Sequence, residues 1–343
     1  MKLNIDFDSK NIKNVVSYLT FPLKSFTRVY NKTSIYGKIL IFLVFFLILV
    51  IIFKKLNKSK NSLNKGFLYE GFQDTDDFIF KHESTPEVYD DFYAEIYDYL
   101  VFNNLKDNYE VGEIINKTTP TTESIILDIG SGTGHHVGKL ASKGHKVTGL
   151  DLSTAMVSKA KENYPKYDFI QGDASNADQF KAAAFTHILC LYFTIYYIKD
   201  KEPFFQNCFN WLMPGGYMIV HLVDREWFDP MLPVGVPKLA VSPQKYTEKR
   251  ITQTNVKFNK FDYSSKFDLD KNSNEATFSE KFVFNDEEGK PTKVRTQDHK
   301  LYMEDTQHIL LNAQESGFII QGKIDLSNIK YDYQYLYILV KPQ

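Results

Sequence analysis

The chain has 343 residues, which allows two domains, or one large domain with additional segments. Its 41 Lys and Arg residues balance 42 Asp and Glu residues, and this balance argues against a general nucleic-acid-binding protein, which normally carries a basic excess. Hydrophobic residues make up 43% of the chain, so wholesale disorder is excluded. Two cysteines, Cys190 and Cys208, are too few for a disulfide framework or a thiolate zinc site, and we expect no metal.

An uninterrupted apolar segment, Ile39 to Phe53 (ILIFLVFFLILVIIF), indicates a membrane anchor. As a helix this segment is shorter than a hydrocarbon core of roughly 30 Å, but residues 35–56 are long enough if the flanking lysines extend toward the headgroups. A buried core helix is the alternative. The segment ends in Lys54-Lys55 and not in a small-residue cleavage site, which argues against a signal peptide. We therefore predict a single-pass transmembrane helix at residues 35–56, after an N-terminal tail of residues 1–34.

The chain after the anchor divides into a tether and a folded domain. Residues 57–84 are mostly polar and predict a flexible tether. Thr85-Pro86-Glu87 then supplies a capping hydroxyl, a first-turn proline and an acid, which predicts a helix over 86–102 that is rich in aromatic residues. From this point to the end, residues 85–343, we predict one domain.

A strand–glycine–helix pattern follows. Ser124 to Asp128 is a short apolar run that predicts a buried parallel strand, and it leads into Gly130-Ser131-Gly132-Thr133-Gly134 and a predicted helix, His135 to Ser142. Such a turn lets the backbone approach a ligand closely. Lys146 to Asp151 predicts a second strand that ends in a carboxylate, placed where nucleotide-binding folds hold ribose hydroxyls. A nicotinamide site would need a third glycine where His135 stands, so the pattern is D-x-G-x-G-x-G instead.

The segments ILDIGSGTGHH, VTGLDLS and QGDAS together resemble the class I S-adenosylmethionine-dependent methyltransferase family, and the resemblance covers roughly Tyr89 to Gln343. It implies S-adenosyl-L-methionine as the cofactor. It also implies an α/β fold with a doubly wound, seven-stranded Rossmann-like sheet. By this resemblance, Asp128 orients the loop and Asp151 binds the ribose. Asp173 and Ala174 contact adenine. The amino-acid part of the cofactor lies against the loop residues Gly130, Ser131, Gly132 and Gly134. Capping of the next helix is an alternative for Asp173.

The later segments fit the same sheet. We predict strands at Thr186 to Leu191 and at Gly216 to Val223, a helix from Glu304 to Ser316, and two final strands, Phe318 to Ile324 and Tyr333 to Val340, which the family pairs antiparallel.

An insertion at residues 242–303 precedes that helix. Three alternating stretches predict a three-stranded antiparallel sheet: Ile251 to Phe267, Ala276 to Phe284 and Thr292 to Leu301. The segments YDDFYAEIYDYL and DHKLYMEDTQHILLNAQESGF resemble several small-molecule N-methyltransferases of the family. In those enzymes, an insertion here covers the acceptor site or forms a subunit contact, so a homo-oligomer through the β insertion is one expectation.

Methyl transfer needs a general base only if the acceptor carries a proton that must leave. The catalytic residues are therefore left open, with four candidates near the carboxyl ends of the strands: Tyr192, Tyr196, His221 and Asp224. His221 lies in an apolar strand and is also interpreted as a core residue. Tyr93 and Tyr97 either close over the cofactor or pack in the core, and His135 and His136 either line the cofactor pocket or only begin a helix.

These features predict a membrane-anchored methyltransferase that acts on an amine or hydroxyl of a small or lipid-like acceptor, with no nucleic-acid partner. The alternative is a non-catalytic binding module with the same fold. The segment after the predicted fourth strand, Cys190-Leu191-Tyr192-Phe193, lacks the Asn/Asp-Pro-Pro-aromatic signature of enzymes that methylate nucleic-acid bases or protein glutamine. Because the implied cofactor is a cytosolic metabolite, we expect the domain on the cytosolic side of the membrane. Asn116-Lys117-Thr118, in an expected loop, is a glycosylation reporter for that topology.

Overall fold

The computed structural model describes residues 79–231, 244, 247–258, 261–286 and 289–343. The predicted tail, the predicted anchor at 35–56 and most of the predicted tether lie outside these residues. Within the described ranges, no helix combines the length and the apolar character needed to cross a bilayer. The described elements belong to one compact unit, Asp76–Gln343.

Twelve strands are found in the described residues, and they form two sheets. Their bounds are β1 Ile79–Ser84, β2 Ile125–Ile129, β3 Lys146–Asp151, β4 Asp168–Gln171, β5 Phe185–Cys190, β6 Leu212–Val223, β7 Gln253–Lys257, β8 Phe261–Asp270, β9 Glu275–Asn285, β10 Pro291–Tyr302, β11 Ile319–Asp325 and β12 Gln334–Val340. The helices among the described residues are α1 Asp91–Val101, α2 Asn104–Thr118, α3 His135–Ser142, α4 Thr154–Asn163, α5 Thr194–Tyr197, α6 Lys201–Trp211 and α7 Thr306–Glu315. Two 3-10 turns lie at Ala177–Gln179 and Leu326–Ile329.

The larger sheet has the order β11-β12-β6-β5-β2-β3-β4. Its central strands are parallel, and β12 is antiparallel to both β6 and β11, so the predicted doubly wound seven-stranded sheet is confirmed. The chain runs outward from β2 to β3 and β4 on one side, and then returns to β5 and β6 on the other. This reversal leaves a crevice at the carboxyl ends of β2 and β5, where ligands bind in open α/β sheets.

The smaller sheet has the order β1-β10-β9-β8-β7. Its antiparallel part confirms the predicted β insertion, but with four strands and not three. The predicted strand at 251–267 is a hairpin, because the chain turns between Lys257 and Phe261 and pairs β7 with β8. A fifth strand, β1, pairs in parallel with β10. It lies in the segment predicted as tether, where the polar composition concealed an edge strand.

The first helix begins five residues later than predicted. Asp90, not Thr85, is its N-cap, and the Asp90 side chain accepts a hydrogen bond from the Tyr93 N–H. Thr85 instead continues the pairing of β1, since its N–H donates to the Asp298 carbonyl at 3.1 Å. The capping signature at 85–87 therefore predicted a real helix but placed its start one turn too early.

The glycosylation acceptor sequence also differs from expectation. Asn116 is exposed, but it lies in the last turn of α2 and not in a loop. Thr118 is buried, and its hydroxyl donates to the Ile114 carbonyl at 2.7 Å. Glycosylation on Asn116 would therefore require this turn to open.

Candidate active site

One large cavity lies at the carboxyl ends of β2, β3 and β5. Its volume is about 1180 Å³, and its wall includes the glycine loop after β2 and residues of the smaller sheet. Pockets for a single small ligand measure roughly 300–1,000 Å³. This cavity therefore has room for a nucleotide-sized cofactor and a second molecule beside it.

The glycine loop forms one end of the cavity. Gly130, Gly132 and Gly134 have φ angles of 67°, 53° and 89°, which side-chain-bearing residues rarely adopt. At Gly130 the space is also closed, because a Cβ there would lie 2.4 Å from the Thr194 hydroxyl oxygen. Only glycine allows the backbone to pass through this point and still face a ligand.

Asp151 fixes this loop and lines the cavity. Its two carboxylate oxygens accept from the Gly132 N–H at 2.8 Å and from the Ser153 N–H at 2.9 Å. The Gly130 N–H donates to the Leu150 carbonyl at 2.8 Å, so the end of β3 holds two points of the loop. Burial raises the pKa of the Asp151 carboxyl, and the two backbone hydrogen bonds act against that rise.

Asp128 was predicted to orient the glycine loop, but among the described residues the loop N–H groups are held by the end of β3. Asp128 is buried behind the loop at the end of β2 and does not line the cavity. Burial raises its pKa to about 7, although the neighbouring His136 acts to lower it.

Three residues after β3 and β4 extend the cavity wall beyond Asp151: Leu152, Asp173 and Ala174. The Leu152 side chain is 55% exposed, so an apolar surface stands beside the Asp151 carboxylate. Asp173 accepts from the Ser175 N–H at 2.8 Å and forms a turn before the 3-10 helix, whose N-cap is Asn176. Asp173 thus stabilises a turn and does not itself cap the 3-10 helix, and it also lines the cavity.

This end of the cavity fits S-adenosylmethionine. A carboxylate aimed into the cavity suits ribose hydroxyls, a loop without side chains allows close approach of the amino-acid part, and the apolar surface at Leu152 suits adenine. Gly130, Gly132 and Asp151 would hold the cofactor, with Asp173 and Ala174 at the adenine end. When bound, it would supply an electrophilic methyl group on a sulfonium.

Tyrosines form much of the remaining cavity wall. Tyr89, Tyr93, Tyr97, Tyr192 and Tyr197 all line the cavity. The Tyr89 ring contacts three of the others edge-on or tilted, at centroid distances of 5.5, 6.4 and 5.7 Å from Tyr93, Tyr97 and Tyr197. Tyr93 also packs against Phe282 of the smaller sheet, as its core-packing alternative expected, while closure over the cofactor stays a prediction. Ring faces attract cations, so such a cluster suits an ammonium group.

Of the four catalytic candidates, Tyr192 alone lines the cavity. Tyr196 is fully buried, and its hydroxyl accepts from the Val223 N–H at 2.8 Å. His221 is also buried, with its Nδ1 2.6 Å from the Tyr192 carbonyl, and burial lowers its pKa to about 4. Asp224 accepts from the Glu226 N–H in a turn after β6. Tyr196, His221 and Asp224 were named because they lie next to strand ends, but their side chains do not line the cavity.

A buried charged cluster stands behind the site. Asp107, Glu110 and His136 offer three ligand atoms within 4.8 Å of one another, a spacing that could hold a metal ion. Lys106 already supplies a cation there, with its Nζ 2.8 Å from a Glu110 carboxylate oxygen. Although burial acts to lower the pKa of His136, the carboxylates raise it to about 9. Both neighbours of Glu110 are therefore cations, and the cluster is balanced without a metal.

His135 is likewise not a pocket residue. Its Nε2 lies 2.9 Å from an Asp98 carboxylate oxygen and its Nδ1 lies 2.7 Å from the Tyr164 hydroxyl. Its ring stacks on Phe102 at a centroid distance of 3.9 Å. His135 and His136 thus tie α3 to α1 and α2, and the second alternative for them is the better description.

Sequence reasoning missed the polar residues that the smaller sheet contributes. His299 on β10 lines the cavity and lies 2.8 Å from the Tyr197 hydroxyl, and Glu280 on β9 lies 2.8 Å behind it. The register places Gln297 opposite Glu280, so His299 is a diagonal neighbour of that carboxylate. The alternation of β9 and β10 was visible in the sequence, but their pairing register was not.

Comparisons with known proteins agree with this geometry. Residues 126–216 match the family described as a methyltransferase domain. The dTDP-4-amino-2,3,4,6-tetradeoxy-D-glucose N,N-dimethyltransferase of Saccharopolyspora spinosa is 31% identical over 150 residues, which are 42% of this chain and 58% of that protein. The chain thus spans little more than half of that relative's length.

Two solved structures share the fold. The sugar N-methyltransferase KedS8 from Streptoalloteichus sp. aligns over 80% of this chain and 100% of its own, with a TM-score of 0.54 and 19% identity. An S-adenosylmethionine-bound amino pentose methyltransferase from Micromonospora echinaspora aligns over 71% and 98%, with a TM-score of 0.50 and 16% identity. Residues 126–216 are therefore similar to a methyltransferase domain, and the described chain shares the Rossmann-like fold of S-adenosylmethionine-dependent methyltransferases.

Proposed function

We propose that the whole protein is an active S-adenosylmethionine-dependent methyltransferase that modifies an amine of a small molecule, with amino sugars as the first class to test. The observation that carries the proposal is a large cavity whose wall combines the glycine loop and Asp151 with a cluster of tyrosines. The amino-sugar class is supported by the S. spinosa relative, which is named for an amino sugar nucleotide. Lipid-like acceptors and hydroxyl acceptors form the second group to test.

The test has two stages on the full-length protein. Calorimetry should show binding of S-adenosylmethionine and of its demethylated product, and Asp151→Ala should weaken both. Labelled cofactor is then incubated with dTDP-4-amino-2,3,4,6-tetradeoxy-D-glucose, with simple primary and secondary amines, and with an aminophospholipid. Transfer of label to one of the amines supports the proposal. Absence of cofactor binding by well-folded protein overturns it, whereas binding without transfer to any acceptor supports a non-catalytic module instead.

We further propose that residues 35–56 anchor the protein in a membrane with the catalytic domain on the cytosolic side. The proposal is supported by the apolar segment from Ile39 to Phe53 and by the cytosolic source of the cofactor. In intact vesicles, added protease should digest everything after the anchor, and Asn116 should carry no glycan. Because α2 orders the acceptor sequence, a missing glycan alone is weak support, and protease protection of the domain is the result that reverses the topology.

A further inference from the structure

A chain of hydrogen bonds runs from the cavity into the smaller sheet. The Tyr197 hydroxyl lies 2.8 Å from Nδ1 of His299, and Nε2 of His299 lies 2.8 Å from Oε2 of Glu280. His299 and Glu280 are 1% and 2% exposed, so water does not compete for these contacts. Tyr197 and His299 both line the cavity.

Arg295 and Gln297, which lie behind Glu280, fix the donors and acceptors of this hydrogen-bond network. Arg295, which has only donors, donates from Nε to the Gln297 Oε1 at 2.8 Å, so the Gln297 amide nitrogen must face Glu280. It donates there to Oε2 at 2.6 Å. Arg295 is itself held by an ion pair with Asp90 at 2.7 Å. The orientation of the Gln297 amide is therefore set by a buried guanidinium.

Glu280 is the common acceptor of the network. In addition to Gln297, the Tyr263 hydroxyl donates to its Oε1 at 2.6 Å. Burial acts to raise the pKa of Glu280, but its hydrogen-bond donors outweigh burial and hold it below the ordinary value. An ionised Glu280 can only accept, so Nε2 of His299 must be the donor between them. In the neutral imidazole, Nδ1 is then an acceptor, and the Tyr197 hydroxyl donates to it.

We propose that Tyr197, His299 and Glu280 form a proton relay that deprotonates the acceptor in the cavity. This proposal rests on the proposed methyl-transfer function. The acceptor enters as an ammonium ion, its N–H proton passes to the Tyr197 oxygen, and the Tyr197 proton passes to Nδ1 of His299. The electron pair of the broken N–H bond stays on the acceptor nitrogen as the lone pair needed for methyl transfer. The proton ends on an imidazolium paired with Glu280, and Tyr197 is again a neutral phenol.

The relay restricts the acceptor class. A group with no proton to lose, such as a thioether, has no use for a base. The relay therefore favours amines, which enter protonated, and the surrounding tyrosine rings suit their cationic form. The groups that face His299 from the packed elements are Tyr197 from α5, Tyr89 and Tyr93 from the segment at α1, Phe278 and Glu280 from β9, and Gln297 from β10 itself.

The first test needs no acceptor. Nitrogen-15 NMR of the histidine rings in the full-length protein should show neutral His299 protonated at Nε2, with assignment by His299→Gln. Tyr197→Phe should shift the Nδ1 resonance toward that of a free pyridine-type nitrogen, whereas the matched Tyr337→Phe on β12 should leave it in place. Neutral His299 protonated at Nδ1, or an Nδ1 resonance unmoved by Tyr197→Phe, overturns the relay whether or not the protein methylates amines.

The second test follows turnover of dTDP-4-amino-2,3,4,6-tetradeoxy-D-glucose against pH. Positioned proton transfer contributes roughly 10²–10⁴-fold, so Tyr197→Phe should lower kcat about 100-fold or more near pH 7. Its rate should recover as the pH rises and the amine loses its proton without help. An equal loss at every pH, or a change in KM alone, assigns Tyr197 to packing and rejects the relay. Unchanged calorimetric affinity for S-adenosylmethionine separates this result from a failure of folding or of cofactor binding.

If wild-type protein binds S-adenosylmethionine but leaves this amino sugar unmodified, the amino-sugar class in the proposed function fails. The NMR result then decides the relay alone. His299→Gln provides a further check, because it keeps hydrogen-bonding capacity but cannot become a cation. It should reproduce the pH profile of Tyr197→Phe, and a wild-type profile in His299→Gln overturns the relay.

Discussion

Replacement of Asp151 by alanine tests the cofactor end of the cavity most directly. The carboxylate accepts two backbone hydrogen bonds, from Gly132 and Ser153, and still lines the cavity. A hydrogen bond to a charged group contributes about 1.5–3 kcal/mol, so loss of one such bond to the ribose should weaken S-adenosylmethionine binding roughly 10- to 150-fold. Loss of the loop anchor adds to this, because the loop must then be ordered by the ligand.

The structure makes Asp151→Asn informative. Both carboxylate oxygens accept from N–H groups, so an asparagine must turn its NH₂ toward either Gly132 or Ser153 and lose that bond. We expect its affinity to lie between wild type and Asp151→Ala. Calorimetry with the demethylated product measures both, with Asp178→Ala at an exposed site outside the cavity as the control. Wild-type affinity in Asp151→Ala would refute the assignment of this carboxylate to the cofactor.

Three further variants test the frame around the site. In urea unfolding, Gly130→Ala should destabilise the fold by about 1–3 kcal/mol more than Gly132→Ala. Alanine has a strained backbone at both positions, but only at Gly130 does its Cβ also meet Thr194. Equal losses of stability would contradict this. Burial raises the pKa of Asp128 to about 7, so between about pH 4 and 7 the folded state binds the extra proton and stability from this group falls as pH rises. Between pH 5 and 8, the free energy of unfolding of Asp128→Asn should therefore fall by about 2–4 kcal/mol less than that of wild type. Thermal unfolding measures this, and identical pH profiles would show that Asp128 does not titrate in this range. Tyr196→Phe should lower the free energy of unfolding by about 1–3 kcal/mol, since it leaves a buried backbone N–H unpaired, while cofactor affinity stays unchanged; weakened binding would return Tyr196 to the site.

The cofactor end could be predicted from the sequence because its chemistry lies in short, local segments. Gly130 to Gly134 and Asp151 follow consecutive strands, and parallel strands bring their carboxyl ends to one edge of the sheet. Even here, the sequence did not identify the carboxylate that accepts from the loop. Asp128 and Asp151 both end strands, and only the atomic positions show that the second carboxylate, not the first, holds the loop.

The residues proposed to act on the acceptor could not be predicted, because their arrangement depends on pairing between distant strands. A shift of one residue between β9 and β10 would turn either Glu280 or His299 to the opposite face. The four candidates named from the sequence, Tyr192, Tyr196, His221 and Asp224, were chosen by nearness to strand ends. Tyr197, one residue beyond Tyr196, was passed over, although a single step along α5 turns its hydroxyl from the core into the cavity.

The polar face of the smaller sheet is hard to explain by stability alone. Buried Glu280, Arg295 and His299 each carry a desolvation penalty, and apolar residues of similar size would often be as stable or more so. The network does not end inside the sheet, since its last donor, the Tyr197 hydroxyl, lines the cavity. A buried network of charged and polar groups that reaches the wall of a ligand-sized cavity suits the proposed proton transfer, whereas packing alone does not require it. In the proposed reaction, His299 and Glu280 of the insertion act on the acceptor, whereas the Rossmann-like sheet holds the cofactor.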